Sequence, residues 1–213
     1  MHGSIILAFC AGLVNATALL GFANNAVSHV TGTVSLFASA LSFGQQTLIW
    51  QSALIVIAFF IGAITSGFIV KNESLALGRR YGVAMMVEAL LLLAATVLFW
   101  QHSFGGELLA SAACGLQNAM VATYSGSIIR TTHLTGIVSD IGAAIGNMLA
   151  GRPFNALQVR LQTGIFFSFT AGGIAGALLF QRIAYSALLV PAAIIFVAAL
   201  TYQRTFGVHK SAS

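Results

Sequence analysis

Charged side chains are scarce in this sequence. Only nine Lys and Arg and four Asp and Glu occur among 213 residues, which is 6% of the chain, whereas soluble domains carry roughly 25%. No charged residue precedes Lys71. Hydrophobic residues make up 58% of the chain and the mean hydropathy is +0.94. Because about 20 apolar residues cross a bilayer, these values exclude a soluble fold and predict a polytopic, all-α membrane protein.

Cysteine is also rare, and the familiar motifs of soluble enzymes are missing. Cys10 and Cys114 both lie in apolar stretches, where a free cysteine behaves as a small hydrophobe. There is no phosphate loop, dinucleotide fingerprint, nucleophile elbow or zinc-protease helix. The basic residues are scattered singly, which argues against a nucleic-acid-binding face. We therefore expect no catalytic residue, no metal, no cofactor and no nucleic-acid partner.

Eight apolar segments follow one another along the chain. They cover residues 4–23, 33–44, 52–70, 83–100, 107–124, 136–150, 163–181 and 186–202. The segments 33–44 and 136–150 are shorter than a usual transmembrane helix, a length that fits a re-entrant or broken helix as well as a full crossing.

An internal repeat contains the same two short segments. The stretch His29-Val30-Thr31-Gly32-Thr33-Val34-Ser35 matches His133-Leu134-Thr135-Gly136-Ile137-Val138-Ser139 at five of seven positions. A second match relates residues 11–16 to 114–119 at four of six positions, which include Asn15 and Asn118. Both matches have nearly the same offset, so we expect one transmembrane domain with two halves, about 1–103 and 104–213.

The distribution of positive charge distinguishes two topologies, because Lys and Arg are enriched in cytoplasmic loops. With eight crossings, the nine basic residues divide five to four. With six crossings and two re-entrant helices, all of them except Arg182 fall on one side. The sequence therefore predicts six transmembrane helices, two re-entrant helices and both termini in the cytoplasm. Three crossings per half is an odd number, so the halves are expected to be inverted.

Four features of the sequence resemble the YoaK family of bacterial multi-pass membrane proteins. They are the Gly-Leu-x-Asn-Ala segments, the paired x-Thr-Gly motifs, the run Glu-Ala-Leu-Leu-Leu from Glu88 and the stretch Arg-Thr-Thr-His-Leu-Thr-Gly from Arg130. The resemblance covers nearly the whole chain. Members usually have Asp at the position of Asn15, and Asn-Met-Thr-Gly-Asn where this sequence has His29-Val30-Thr31-Gly32-Thr33. The resemblance implies a location in the bacterial plasma (inner) membrane and no particular activity.

The two x-Thr-Gly motifs are the first candidates for a functional centre. A half-helix that begins inside the membrane exposes unpaired N–H groups and a partial positive charge, and transporters direct such ends at their solute. We expect His29, Thr31 and Gly32 to meet His133, Thr135 and Gly136 near the midplane. The alternative is that the threonines cap short helices and the glycines only permit close packing.

Several further polar residues lie within the apolar segments. Glu88 is deep in a crossing, where an ionisable group is costly and is by default functional, and it could couple protons or lock helices together. Asp140 could pair with Arg130 or His133, and Glu107 is expected to be an interfacial charge. Asn15 and Asn118 could hydrogen-bond the broken segments. The small-residue patterns Gly142-x-x-x-Gly146 and Gly172-x-x-x-Gly176 suit close helix packing.

These residues favour a small-solute channel or secondary transporter. The solute would be anionic or polar and neutral, given Arg130, the histidines and the helix N-termini. A membrane-embedded scaffold without transport is the main alternative, although the loops are short for partner binding. An intramembrane hydrolase that uses Ser127 or Ser139 with His133 is less favoured because nothing supplies a third partner. The other expected partner is the lipid bilayer, and a homo-oligomer is left open.

Overall fold

The computed structural model describes residues 2–21, 27–70, 79–125 and 130–207 of the chain. These residues form eight α-helices and a short 3-10 helix, and they contain no strand. The α-helices are α1 (His2–Leu20), α2 (Val30–Ser42), α3 (Gln46–Val70), α4 (Arg79–Trp100), α5 (Gly105–Tyr124), α6 (Leu134–Leu149), α7 (Ala156–Ile183) and α8 (Leu189–Gly207). The 3-10 helix, Ala184–Leu188, joins α7 to α8. The prediction of an all-helical fold is confirmed for the described residues.

Four segments of the described residues are long and apolar enough to cross a membrane. They are Gly3–Leu20, Gln46–Val70, Arg80–Trp100 and Ala156–Arg204, the last of which contains α7 and most of α8. The helices α2 and α6 are apolar but short, as the sequence predicted. Lys71 and Lys210, which contribute to the charge argument, lie outside the described residues.

Helix α7 begins seven residues before the predicted segment. An apolar run starts only after Arg160, but the helix begins where its first turn is capped. The Asn155 side chain accepts a hydrogen bond from the backbone N–H of Gln158 at 3.1 Å, which satisfies one of the unpaired donors of the first turn. Helix starts therefore follow capping residues as well as hydropathy.

Helices α1 and α7 pack tightly and run parallel. The Ser168 hydroxyl donates to the Ile5 carbonyl at 2.7 Å. One turn further along both helices, a Cβ on Gly172 would collide with the carbonyl oxygen of Phe9. After another turn, Gly176 lies against the Leu13 backbone. Contacts that advance in the same direction by four residues on each helix are those of a parallel pair.

Helices α3 and α5 pack in the same manner. The Ser111 hydroxyl donates to the Ile55 carbonyl at 2.9 Å, and a Cβ on Gly115 would collide with the Phe59 carbonyl. The register repeats that of α1 and α7. Gly12 contacts Phe169 as Gly115 contacts Phe59, and Gly172 contacts Phe9 as Gly62 contacts Ala112.

Helices α4 and α8 are antiparallel. Gly82, near the start of α4, contacts the Gln203 side chain near the end of α8. At the opposite end, the Trp100 indole N–H donates to the Ser186 hydroxyl at 3.2 Å. Helix α4 turns directly into α5, and Gly106 lies under the Phe99 ring. The long helices α1, α3, α4, α5, α7 and α8 therefore alternate in direction along the chain.

Candidate functional site

A cavity opens at one end of the bundle among α1, α4, α5 and α8. Its volume is about 350 Å³. It is lined by residues near the start of α1 and α4 and near the end of α5 and α8: Gly3, Ser4, Ile6, Leu7, Tyr81, Met85, Met120, Val121, Tyr124, Ile195, Ala198 and Tyr202. We call this cavity the vestibule. Helices α1 and α4 begin at this end of the bundle, and α5 and α8 finish there, because the first two run opposite to the last two.

Three tyrosines from three different helices form the aromatic wall of the vestibule. The rings of Tyr81 and Tyr124 meet edge to face with centroids 5.8 Å apart. Tyr81 and Tyr202 are tilted against each other with centroids 6.5 Å apart. Edge-to-face pairs are favourable arrangements of aromatic quadrupoles, so these contacts fix the wall between α4, α5 and α8.

Glu88 lies beyond the inner end of the vestibule. It follows Met85 by one turn of α4, halfway along that helix, and its side chain is only 2% exposed. The thiols of Cys10 on α1 and Cys114 on α5 lie within electrostatic range of its carboxyl group. Among the described residues, its Oε2 atom has no hydrogen-bond partner. The cost of burying an unpaired carboxylate is high, so the group must hold a proton or have a cation beside it.

The end of the bundle opposite the vestibule is closed. Phe99 at the end of α4 stacks on Tyr185 with ring centroids 4.5 Å apart, and Ala187 and Leu188 are fully buried beside α8.

The expectation that Glu107 is an interfacial charge is wrong, since its side chain is 0% exposed. Gly106 is the reason, because a residue without a side chain lets the start of α5 pack under Phe99.

The two x-Thr-Gly motifs are not brought together in the described structure. Helix α2 packs on α3 and helix α6 packs on α7, and the two short helices do not contact each other. Thr31 and Thr135 are both exposed on the bundle surface. Neither threonine caps its helix, because the N-caps are His29 and His133, and neither histidine side chain makes a capping bond.

Each motif histidine lies over its own glycine. A Cβ on Gly32 would lie 2.7 Å from Nδ1 of His29, and a Cβ on Gly136 would collide with the His133 ring. Both histidines are exposed and have nearly the same backbone angles, φ −102° and ψ 66° for His29 and φ −88° and ψ 58° for His133. The glycines therefore provide room for an imidazole at the start of each short helix.

The segments just before the two motifs, in contrast, reach the central helices in matching ways. The side-chain amide oxygen of Asn15 accepts a hydrogen bond from the Ser28 hydroxyl at 2.8 Å. The side-chain amide oxygen of Asn118 accepts one from the Thr132 hydroxyl at 3.1 Å. The predicted role of the two asparagines, to hydrogen-bond the broken segments, agrees with these contacts.

Arg130 and Asp140 lie apart from the vestibule. Arg130 is exposed, and the Asp140 carboxylate accepts the Gln162 amide at 2.7 Å. Asp140 and Gln162 border a second, polar cavity of about 300 Å³ between α6 and α7. Among the described residues, no group of three His, Cys, Asp or Glu side chains could hold a metal ion.

Gln117 is a buried polar residue that the sequence reasoning missed. Its amide donates to the Leu7 carbonyl at 2.8 Å and to the Thr131 hydroxyl at 3.0 Å. It therefore joins α5 to α1 and to the segment before α6. Its position beside Asn118, in the repeated Gly-Leu-x-Asn-Ala segment, is the signal that could have identified it.

We expect Gln117→Leu to lower the free energy of unfolding by about 1–3 kcal/mol, because it removes two buried hydrogen bonds, one to the Leu7 carbonyl and one to the Thr131 hydroxyl. Thermal melting in detergent measures the loss. Gln181→Leu is the control, since Gln181 is exposed at the end of α7. Equal melting temperatures for the two variants would contradict the role of Gln117 as a tie between helices.

Comparison with known proteins identifies one family. A family model described as a protein of unknown function, DUF1275, matches residues 3–201. No curated protein and no solved structure matches the chain. The function must therefore be argued from the contacts of this chain.

Proposed function

The chain belongs to the DUF1275 family, and from its own contacts we propose that it is a small-solute secondary transporter of the bacterial plasma membrane. In this proposal the solute moves along the axis between α1, α4, α5 and α8. The observation that carries it is the vestibule, which opens at one end, leads towards the buried Glu88 and is closed at the other end by Phe99 and Tyr185.

The proposed topology has six crossings and two re-entrant helices. The alternating directions of the six long helices support it, because α2 then starts and ends on the side where α1 ends, and α6 on the side where α5 ends. The matched α1–α7 and α3–α5 registers support two inverted halves, as in many secondary transporters. With the termini in the cytoplasm, the vestibule faces the cytoplasm.

Alternating access would follow from this arrangement. Inverted halves can exchange conformations, so that the end that is closed in one state is open in the other. We propose that the stacked Phe99 and Tyr185 are the outer gate and that the tyrosine wall becomes the inner gate in the outward-facing state. The x-Thr-Gly motifs then act at a distance, through the bonds of Ser28 and Thr132 to α1 and α5.

Cysteine accessibility tests this proposal without knowledge of the solute. In a background where Cys10 and Cys114 are replaced by Ser, single cysteines are introduced at Ser4 in the vestibule and at Ala187 in the closed end. We expect a membrane-impermeant maleimide to label S4C only from the cytoplasmic side. A187C should be labelled slowly and only from the outside, because that end opens transiently. A89C, buried in α4, is the control that neither side labels.

Two results would overturn the proposal. Labelling of S4C from the outside would reverse the orientation of the vestibule. Complete protection of A187C would mean that the outer end never opens, as expected for a membrane scaffold without transport.

A further inference from the structure

The vestibule has the composition of a site for an organic cation. Tyr81, Tyr124 and Tyr202 come from three helices and line one mouth. The face of an aromatic ring attracts a cation through its quadrupole, most strongly when the cation is desolvated, and aromatic cages bind quaternary ammonium groups. This inference rests on the proposed function and names the solute class of the same site.

The remaining lining residues fit the apolar part of such a solute. Met85 and Met120 lie further in, and their flexible thioethers adapt to apolar groups of different shapes. Of the described residues that line the vestibule, none is a Lys, Arg or His. Along the chain, Arg80 directly precedes Tyr81 at the start of α4, and Arg204 follows Tyr202 by two residues near the end of α8, where it is exposed.

Glu88 can supply a negative charge at the inner end by releasing its proton. A carboxylate formed there, beyond an aromatic mouth, is complementary to a monovalent cation and not to an anion. We propose that the vestibule binds a monovalent organic cation, a tertiary or quaternary ammonium with an aromatic or aliphatic substituent, whose charge lies between the tyrosine wall and Glu88. The anionic or neutral solute that the sequence favoured depended on Arg130 and the motif histidines, which do not line the vestibule.

Proton and cation would exchange at Glu88. When the site is empty, the carboxyl group keeps a proton, since no described group pairs with its Oε2 atom. When the cation enters, the O–H bond breaks, the proton passes to water in the vestibule, and the carboxylate balances the bound charge. The other titratable groups that face Glu88 and the vestibule are the thiols of Cys10 and Cys114 and the three tyrosine hydroxyls.

Binding of phenyltrimethylammonium to the purified, full-length protein tests the proposal. Its neutral isostere, tert-butylbenzene, has a carbon in place of the nitrogen. We expect saturable binding of the cation, which excess isostere displaces only weakly. Tyr124→Leu should reduce the affinity for the cation about 5- to 30-fold, which corresponds to about 1–2 kcal/mol of cation–π energy. Tyr124→Phe keeps the aromatic face and should bind nearly as the wild type does.

Three outcomes would overturn the proposal. They are equal affinity for the cation and its isostere, equal losses in Tyr124→Leu and Tyr124→Phe, and no saturable binding of the cation. If the accessibility pattern of S4C and A187C persists in those cases, only the solute class is wrong. If that pattern fails as well, the proposed transport function is wrong too.

Discussion

Replacing Gly172 with Val is expected to prevent α1 and α7 from packing, so that little folded protein survives extraction into detergent. A side chain at this position would collide with the backbone carbonyl of Phe9, and a carbonyl within a helix cannot rotate away as a side chain can. Overpacking a tight contact usually costs about 1–3 kcal/mol and occasionally more. Here the helices must separate, and the Ser168–Ile5 hydrogen bond is lost with the contact.

The chain offers a matched control for this substitution. Gly142 and Gly146 have the same spacing as Gly172 and Gly176, but a Cβ on either of the first two would meet nothing within 4 Å. We therefore expect Gly142→Val to leave the melting temperature close to that of the wild type. Size-exclusion chromatography after heating a detergent extract measures both variants. Comparable losses from Gly142→Val and Gly172→Val would contradict the parallel α1–α7 contact.

Removal of the Glu88 carboxylate should abolish proton exchange and leave the protein folded. Glu88→Gln keeps the size of the side chain and cannot release a proton. If solute and proton share this group, the wild type should release one proton for each phenyltrimethylammonium bound, and the variant none. In proteoliposomes, uptake of the cation driven by a pH gradient should fall at least tenfold in the variant, which corresponds to about 1.4 kcal/mol in a binding equilibrium.

Asp140→Asn is the control for Glu88→Gln, because Asp140 is exposed and bonded to Gln162, away from the vestibule. It should retain both proton release and uptake. A pH indicator in weakly buffered solution detects the released proton, and thermal melting checks that both variants are folded. Normal proton release by Glu88→Gln would exclude this residue as the coupling group. A large drop in melting temperature with intact uptake would favour the role in helix locking.

The sequence predicted the helical segments and the depth of Glu88 because both depend on local hydropathy. Which helices pack against each other was harder to predict. Helices α3 and α4 are apolar on nearly all sides, so no polar face shows which side meets a neighbour. For the same reason, the Gly142/Gly146 and Gly172/Gly176 patterns could not be distinguished, although only the second pair contacts another backbone.

Other differences arise from contacts distant in sequence. Thr31 and Thr135 each follow by three residues a side chain that bonds to α1 or α5, Ser28 or Thr132, yet they are exposed themselves. Their placement depends on the packing of α2 on α3 and of α6 on α7. The burial of Glu107 likewise depends on the packing of Gly106 under the Phe99 ring. The position of Glu107 at the start of an apolar segment does not reveal this packing.

The pairing of α1 with α7 and of α3 with α5 has a consequence for biosynthesis. Each half supplies helices whose closest partners belong to the other half, so neither half can complete its packing while it is the only one made. The 135 residues between the end of α1 and the start of α7 take about 7–27 s to translate at 5–20 residues per second. During that interval α1 must remain in the lipid without its partner helix, and the close contact between Gly12 and the Phe169 backbone is not yet formed. Helix α1 contains no Lys, Arg, Asp or Glu, which allows this, and final assembly must wait until the second half has entered the membrane.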